Sequence, residues 1–256
     1  MKTQKKTVPL SLIDIWSKKE NVINGWIGIN SPVSAEFLAK LDWDAVTVDT
    51  QHGLIDLGQA ISIIQSIAST NKITLCRVPW NDPVWIMKLL DAGASGIICP
   101  MINTREQCEE FVSACRYSPA GNRSWGPVRI PFANPLDYLE WANSHIATIA
   151  MIETQEAFNN LDDILKTDGL NAVYVGPSDL ALSLGEKPDV LARSSKVRSV
   201  MAQIKEKAEN HGIAPCLHTG SGEMAKEFLD DGWRLATILN DLRLMVNGAN
   251  DAIKIA

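Results

Sequence analysis

The chain has 256 residues, 46% of them apolar, which is ample for a sizeable core and compatible with one large domain. Its formal net charge is −6 and its basic residues are scattered rather than gathered into a stripe, so a nucleic-acid partner is excluded. No apolar run is long enough to span a bilayer, and the basic start Met1-Lys2-Thr3-Gln4-Lys5-Lys6 leads into no signal-type apolar segment, so a soluble, cytoplasmic protein with no membrane partner is expected.

Short apolar runs alternate with amphipathic stretches along the chain, the pattern of βα units around a parallel sheet. Strands are expected over residues 26–29, 45–48, 73–78, 96–99, 146–152, 172–175, 213–217 and 235–239. A helix is expected after each, over residues 35–41, 57–69, 83–92, 105–116, 155–165, 197–210, 223–229 and 242–255. In the second of these Leu57, Ile61, Ile64 and Ile67 recur near the helical period. Eight repeats at this length, with no linker-like tract, predict an α/β fold: one (β/α)8 TIM barrel over residues 1–256, rather than an open doubly wound sheet. Two connections are long. Residues 118–134, punctuated by Pro119, Gly121, Gly126, Pro127 and Pro131, are expected to form a lid or substrate loop on the active-site face, and a second insertion, residues 181–195, follows the sixth strand. Cys76, Cys99, Cys108, Cys115 and Cys216 form no C-x-x-C pair and are expected to be buried, reduced and inert.

In such a barrel, polar residues at the C-terminal ends of strands are the ones to examine. They are Asp49 and His52 after the second strand, Arg77 in the third, Glu153 after the fifth, and Ser178 with Asp179 after the sixth. Glu153 and Asp179 each close a buried run, and hard oxygens converging from neighbouring strands suit a Mg²⁺-like or Mn²⁺-like ion; alternatively, each caps the helix that follows it. His52 is a candidate base, with Asp49 three residues earlier placed to fix its tautomer, against the alternative of a structural turn histidine. Arg77, inside the apolar run Leu75-Cys76-Arg77-Val78-Pro79, is costly to bury without an anion, either a substrate oxyanion or a structural carboxylate. The turn Gly176-Pro177-Ser178-Asp179 opens backbone amides at a helix start, a cradle for a carboxylate. His145 and His211 precede strands and read as structural, which leaves His218, ending the seventh strand, as the other histidine candidate.

Taken together, D-T-Q-H-G (Asp49 to Gly53), R-V-P-W-N-D-P (Arg77 to Pro83), L-L-D-A-G-A (Leu89 to Ala94), C-R-Y-S-P-A-G (Cys115 to Gly121), M-I-E-T (Met151 to Thr154) and G-P-S-D-L (Gly176 to Leu180) closely resemble the HpcH/HpaI aldolase family, from about Trp26 to the C-terminus. The resemblance implies a metal-dependent, class II pyruvate aldolase, an aldehyde-lyase that cleaves 4-hydroxy-2-oxo acids to pyruvate and an aldehyde; dihydroxyheptenedioate aldolase is a typical member. It implies that Glu153 and Asp179 hold Mg²⁺, Mn²⁺ or Co²⁺, that Arg77 stabilises the enolate, and that His52, oriented by Asp49, is the base. It also implies that Gly176 and Ser178 offer amides to the substrate carboxylate. Asp91 would face an adjacent subunit's site, in a homo-oligomer built as a trimer or hexamer with exchanged C-terminal helices.

Two positions depart from the pattern: Gln51 stands where many members carry glutamate, and Leu239 where a small residue is more usual. In the long loop, Arg123 and Arg129 are expected to pair with an acidic substrate tail or to bridge subunits. Cleaving a carbon-carbon bond beside a ketone needs an electron sink, and no lysine stands at a strand C-terminus to form a Schiff base, so the metal route remains. The competing readings are an acyl-CoA lyase of the malyl-CoA or citryl-CoA type, which would need a basic mouth for the CoA phosphates, and a barrel that binds a metal and an oxo acid without turnover.

Overall fold

In the computed structural model, which describes residues 11–133 and 137–256, eight strands close into a barrel with every neighbouring pair parallel and β8 returning to β1. The strands are β1 (Val22–Ile27), β2 (Ala45–Asp49), β3 (Ile73–Arg77), β4 (Gly96–Cys99), β5 (Ala147–Met151), β6 (Ala172–Val175), β7 (Ala214–Thr219) and β8 (Leu235–Ile238). Helix α1 (Leu12–Ser17) precedes β1, and α2 (Pro32–Ala39), α3 (Leu57–Ile67), α4 (Pro83–Ala92) and α5 (Arg105–Cys115) follow the first four strands. Helices α6 (Ile130–Ala133) and α7 (Tyr138–His145) lie between α5 and β5, with α8 (Gln155–Asn159) and α9 (Leu161–Ile164) after β5. The chain ends with α10 (Pro177–Ser183) and α11 (Ser195–Asn210) after β6, α12 (Gly222–Asp230) after β7 and α13 (Asp241–Ile255) after β8.

Two apolar layers hold this architecture. Inward residues such as Trp26, Leu75, Ile98, Ile149 and Tyr174 fill the barrel, while outward residues such as Val46, Val48, Ile97 and Val173 pack beneath Ile63, Leu89, Phe111 and Ile204 of the helices. Burial on both faces is why the strands read as continuous apolar runs rather than alternating ones. Leu12 and Ile15 join the inner layer beside the first residues of the strands, Val22 and Ile73, so α1 closes the N-terminal end of the barrel. The opposite end is where β2, β3, β5 and β6 present their polar residues.

The structure departs from the expected elements in several places. β1 begins four residues before the expected position 26. Asn24-Gly25 is a turn pair in isolation, but inside the barrel Asn24 hydrogen-bonds Thr47 Oγ1 (2.9 Å) and Thr237 Oγ1 (2.8 Å), which makes a polar residue tolerable there. The helix expected over 155–165 breaks at Asn160, whose side chain donates to the Asn103 carbonyl (2.8 Å).

The loop expected over the active-site face is elsewhere. α5 intervenes between β4 and this loop and carries the chain back to the N-terminal end of the barrel, so residues 118–133 pack against the far end of α4. There Arg123 ion-pairs with Asp91 (2.7 Å) over the Tyr117 ring, and Arg129 donates to the Ala92 carbonyl (2.6 Å). Asn134, the last residue of the expected loop, lies outside the described residues. The five cysteines are buried and unpaired, and burial pushes the Cys108 thiol up to about 11. Among the described residues no helix is long and apolar enough to cross a membrane.

Candidate active site

A cavity of about 690 Å³ opens at the C-terminal ends of the strands, and Asp49, His52, Arg77, Gly176, Ser178 and Asp179 all line it. Parallel pairing of β2 and β3 sets Asp49 opposite Arg77 in register. The guanidinium grips the carboxylate at two points, Nε to Oδ1 (2.8 Å) and Nη2 to Oδ2 (2.7 Å), a planar fork that fixes the orientation of both groups. Burial by itself would raise the Asp49 carboxyl, but Arg77, with the Trp26 indole and the Gln51 amide, holds it below the usual carboxylate value. Nη1 of Arg77 has no hydrogen-bond partner among the described residues and is left for a ligand.

This pairing corrects the expectation that Asp49 orients the His52 ring. Oδ1 of Asp49 takes Arg77 and the amides of Gln51 (3.0 Å) and His52 (3.4 Å), and Oδ2 takes Arg77 and Trp26 Nε1 (3.2 Å). The carboxylate therefore shapes the turn and leaves the imidazole, which lines the cavity, without that partner. The turn is tight. A Cβ at Gly53 would stand 2.1 Å from the Asp49 carbonyl oxygen, which is why D-T-Q-H-G ends in glycine.

Glu153 stands two residues beyond β5, only 2% exposed, with Oε1 accepting from the Met101 amide (2.9 Å). Its Oε2 faces Gly176 so closely that a Cβ there would lie 2.9 Å away. Burial raises the Glu153 carboxyl to about 7, the Met101 amide opposing the rise and the like charge of Asp179 adding to it. Asp179 is the third residue of α10, whose start has no side-chain cap, so the Ser178 and Asp179 amides are free to serve a ligand. Among the described residues no group of three or more His, Cys, Asp or Glu is arranged to hold a metal; Glu153 and Asp179 are a pair of acids close enough to act on each other's charge. A buried, half-satisfied carboxylate beside a second acid fits a divalent cation that keeps its other positions for water and substrate.

Of the expected site residues, Asp49, His52, Arg77, Gly176, Ser178 and Asp179 line the cavity, Glu153 lies buried behind Gly176, and the loop arginines and Asp91 lie elsewhere. Asp91 and Arg123 bind each other against the outside of the barrel, and within one chain neither lines the cavity. The structure also adds residues that the sequence reading left out of the site or gave no role. Trp26 donates to Asp49 and carries the Arg77 guanidinium over its ring face at 4.8 Å, while Tyr174 and His218 form the floor beside it. The available signal was the inward alternation of β1 and β6 toward their C-terminal ends. Asp241, opening α13, accepts from the amides of Gly28 (3.0 Å), Ile29 (3.0 Å) and Leu242 (2.8 Å), tying the cavity wall to β1. Asp241→Ala leaves these amides bare and is expected to cost about 2–4 kcal/mol, read as a melting temperature lower by roughly 4–16 °C. An unchanged melting curve would show that the tie is dispensable.

The profile described as HpcH/HpaI aldolase/citrate lyase matches residues 23–248. The hydroxypyruvate/pyruvate aldolase of Rhizorhabdus wittichii is 40% identical over 238 residues, 93% of this chain and 95% of that protein. The 4-hydroxy-2-oxo-heptane-1,7-dioate aldolase of Escherichia coli is 32% identical over 237 residues, 88% of this chain and 86% of the other. Among solved structures, an HpcH/HpaI aldolase/citrate lyase family protein from Burkholderia cenocepacia J2315 superposes with a TM-score of 0.88 at 27% identity, covering 95% of this chain and 97% of that one.

Proposed function

Because this chain belongs to the HpcH/HpaI aldolase/citrate lyase family, we propose that it is a divalent-metal-dependent pyruvate aldolase, reversibly cleaving 4-hydroxy-2-oxo acids to pyruvate and an aldehyde. The observation that carries the reading is an arginine pinned by Asp49 in the strand-end cavity that Asp179 also lines, with Glu153 buried behind Gly176 within reach of the charges of both Asp179 and Arg77. An ion held by Glu153 and Asp179 would supply Lewis-acid stabilisation of negative charge on the oxo oxygen. The amides at the start of α10 receive the substrate carboxylate, and Arg77 Nη1 donates to the oxo oxygen, where its positive charge favours the enolate over the ketone. His52 takes the proton of the 4-hydroxyl; as the aldehyde carbonyl forms, the bond between C3 and C4 breaks and its electron pair spreads onto the oxo oxygen. Protonation at C3 completes pyruvate.

The acyl-CoA alternative gains no support from the long loop, because Arg123 and Arg129 are committed to Asp91 and Ala92. The homo-oligomer expectation, trimer or hexamer, is supported by α13, where Leu242, Met245, Val246, Ile253 and Ile255 are all exposed. The test is a panel of 4-hydroxy-2-oxo acids with pyruvate release coupled to lactate dehydrogenase. Activity is expected to vanish with EDTA and to return with Mg²⁺, Mn²⁺ or Co²⁺. Full activity after exhaustive chelation, or a pyruvate adduct trapped on the chain by borohydride, would overturn the metal-dependent assignment.

A further inference from the structure

Met101, the second residue beyond β4, lies in the left-handed region with φ +56°, a conformation that is costly for a residue with a side chain and that glycine or asparagine takes more easily. Strain of this kind persists only where the surroundings enforce it. On one side of Met101 the chain leaves β4 through Pro100, and on the other Ile102 is wholly buried in the outer apolar layer, so the turn between them has little freedom. Its product is an amide that reaches the turn after β5 and donates to Glu153 Oε1 (2.9 Å).

Asn103 ties the same turn to the segment that carries Glu153. Its Oδ1 accepts from the Thr154 hydroxyl, whose oxygen in turn accepts from the Ala157 amide (2.9 Å) and caps α8. The Asn103 carbonyl accepts from Asn160 Nδ2 (2.8 Å), and its amide donates to Gln107 Oε1 (2.8 Å) near the start of α5. Next along the chain, the Gln155 amide donates to Ser183 Oγ (2.7 Å) at the end of α10. The segments after β4, β5 and β6 thus form one hydrogen-bonded belt beside the Glu153 carboxylate. With Oε1 taken by the Met101 amide, Oε2 is the oxygen that faces Gly176, a residue lining the cavity.

We propose that Met101 is a positioning residue for Glu153: its left-handed backbone aims the amide that fixes Oε1, which leaves Oε2 to bind the ion, and the Asn103 belt holds that aim. The proposal rests on the metal-dependent reading of the site and adds to it which oxygen binds and what selects it.

Calorimetric titration of the metal-free protein with Mn²⁺ compares the wild type with Met101→Gly, Met101→Ala, Met101→Val and Asn103→Ala. Glycine takes a positive φ without cost and alanine removes only the side chain, so both should keep the amide in place and bind Mn²⁺ within about threefold of the wild type. Valine, branched at Cβ, is the residue least able to hold this conformation. Its turn should relax and its amide leave Oε1, with affinity lower by about 10- to 100-fold, the loss usual when a group that orients a metal ligand is removed. Asn103→Ala is expected to cost about tenfold, and it decides the point if Met101→Val does not fold. A second readout needs no metal: with ¹⁵N-methionine labelling at pH 8, the Met101 amide proton should lie downfield, as a donor to a carboxylate, and move upfield in Glu153→Gln. Unchanged affinity in folded Met101→Val, a loss as large in Met101→Gly as in Met101→Val, or a Met101 amide that ignores Glu153→Gln overturns the proposal. If the wild type itself binds no Mn²⁺, the metal-dependent reading fails instead, and the amide shift still decides the contact.

Discussion

Arg77→Ala is expected to lower turnover by about 10²- to 10³-fold, the scale of removing one preorganised donor from a developing oxyanion. Because the guanidinium acts chiefly on charge that grows as the enolate forms, affinity for pyruvate should fall much less. The substitution also strands Asp49, a buried carboxylate that would lose its counter-ion, so some destabilisation is expected alongside the kinetic loss. Asp49→Asn separates the two effects: the carboxamide cannot grip the fork at two points, so Arg77 keeps its charge and loses its aim. It should cost turnover through Arg77 while leaving His52 able to exchange the pyruvate methyl protons at a reduced rate. Steady-state kinetics with methyl-proton exchange in deuterium oxide measure both. If Arg77→Ala weakens pyruvate binding and keeps turnover, the arginine is only a clamp.

The roles in this cavity differ in how far the sequence could show them. Strand ends were legible because a strand buried on both faces has no place for a charge, so Arg77 and the acids after β5 and β6 stand out against apolar runs. Pairing was not legible. Whether Asp49 serves His52, three residues away, or Arg77, twenty-eight away, depends on the β2 to β3 register, which local spacing does not contain. The long loop failed for a related reason: its composition spoke of a turn-rich surface segment, while its side of the barrel follows from counting the reversal made by α5. β1 was placed late because Asn24 looks like a turn residue until Thr47 and Thr237 are brought to it from other strands. His218 was identified as a strand-end histidine, and only its contacts with Tyr174 and Trp26 show where its ring lies in the cavity.

Glu153→Gln is expected to abolish binding of the divalent ion and, in the metal-free protein, to change how stability depends on pH. The folded state holds the Glu153 proton up to about 7, against an ordinary value of 4.5. Below pH 4.5 the group is protonated whether the chain is folded or not, and its contribution is fully present. As pH rises through the window from 4.5 to 7 the unfolded chain releases its proton first, so stability is lost, by a total on the order of 3 kcal/mol at 1.36 kcal/mol per unit. Glutamine has no proton to lose and keeps the hydrogen bond from Met101, so metal-free Glu153→Gln should melt above the metal-free wild type at pH 8, by about 6–12 °C, and level with it near pH 4.5. Adding Mg²⁺ at pH 8 should reverse the order, because the ion neutralises the buried acid in the wild type and finds only Asp179 in the variant. Calorimetric metal titration and melting curves across this window test both halves. Equal metal affinity in the two proteins, or parallel melting curves from pH 4.5 to 8, would remove Glu153 from the metal site and leave Asp179 without its partner.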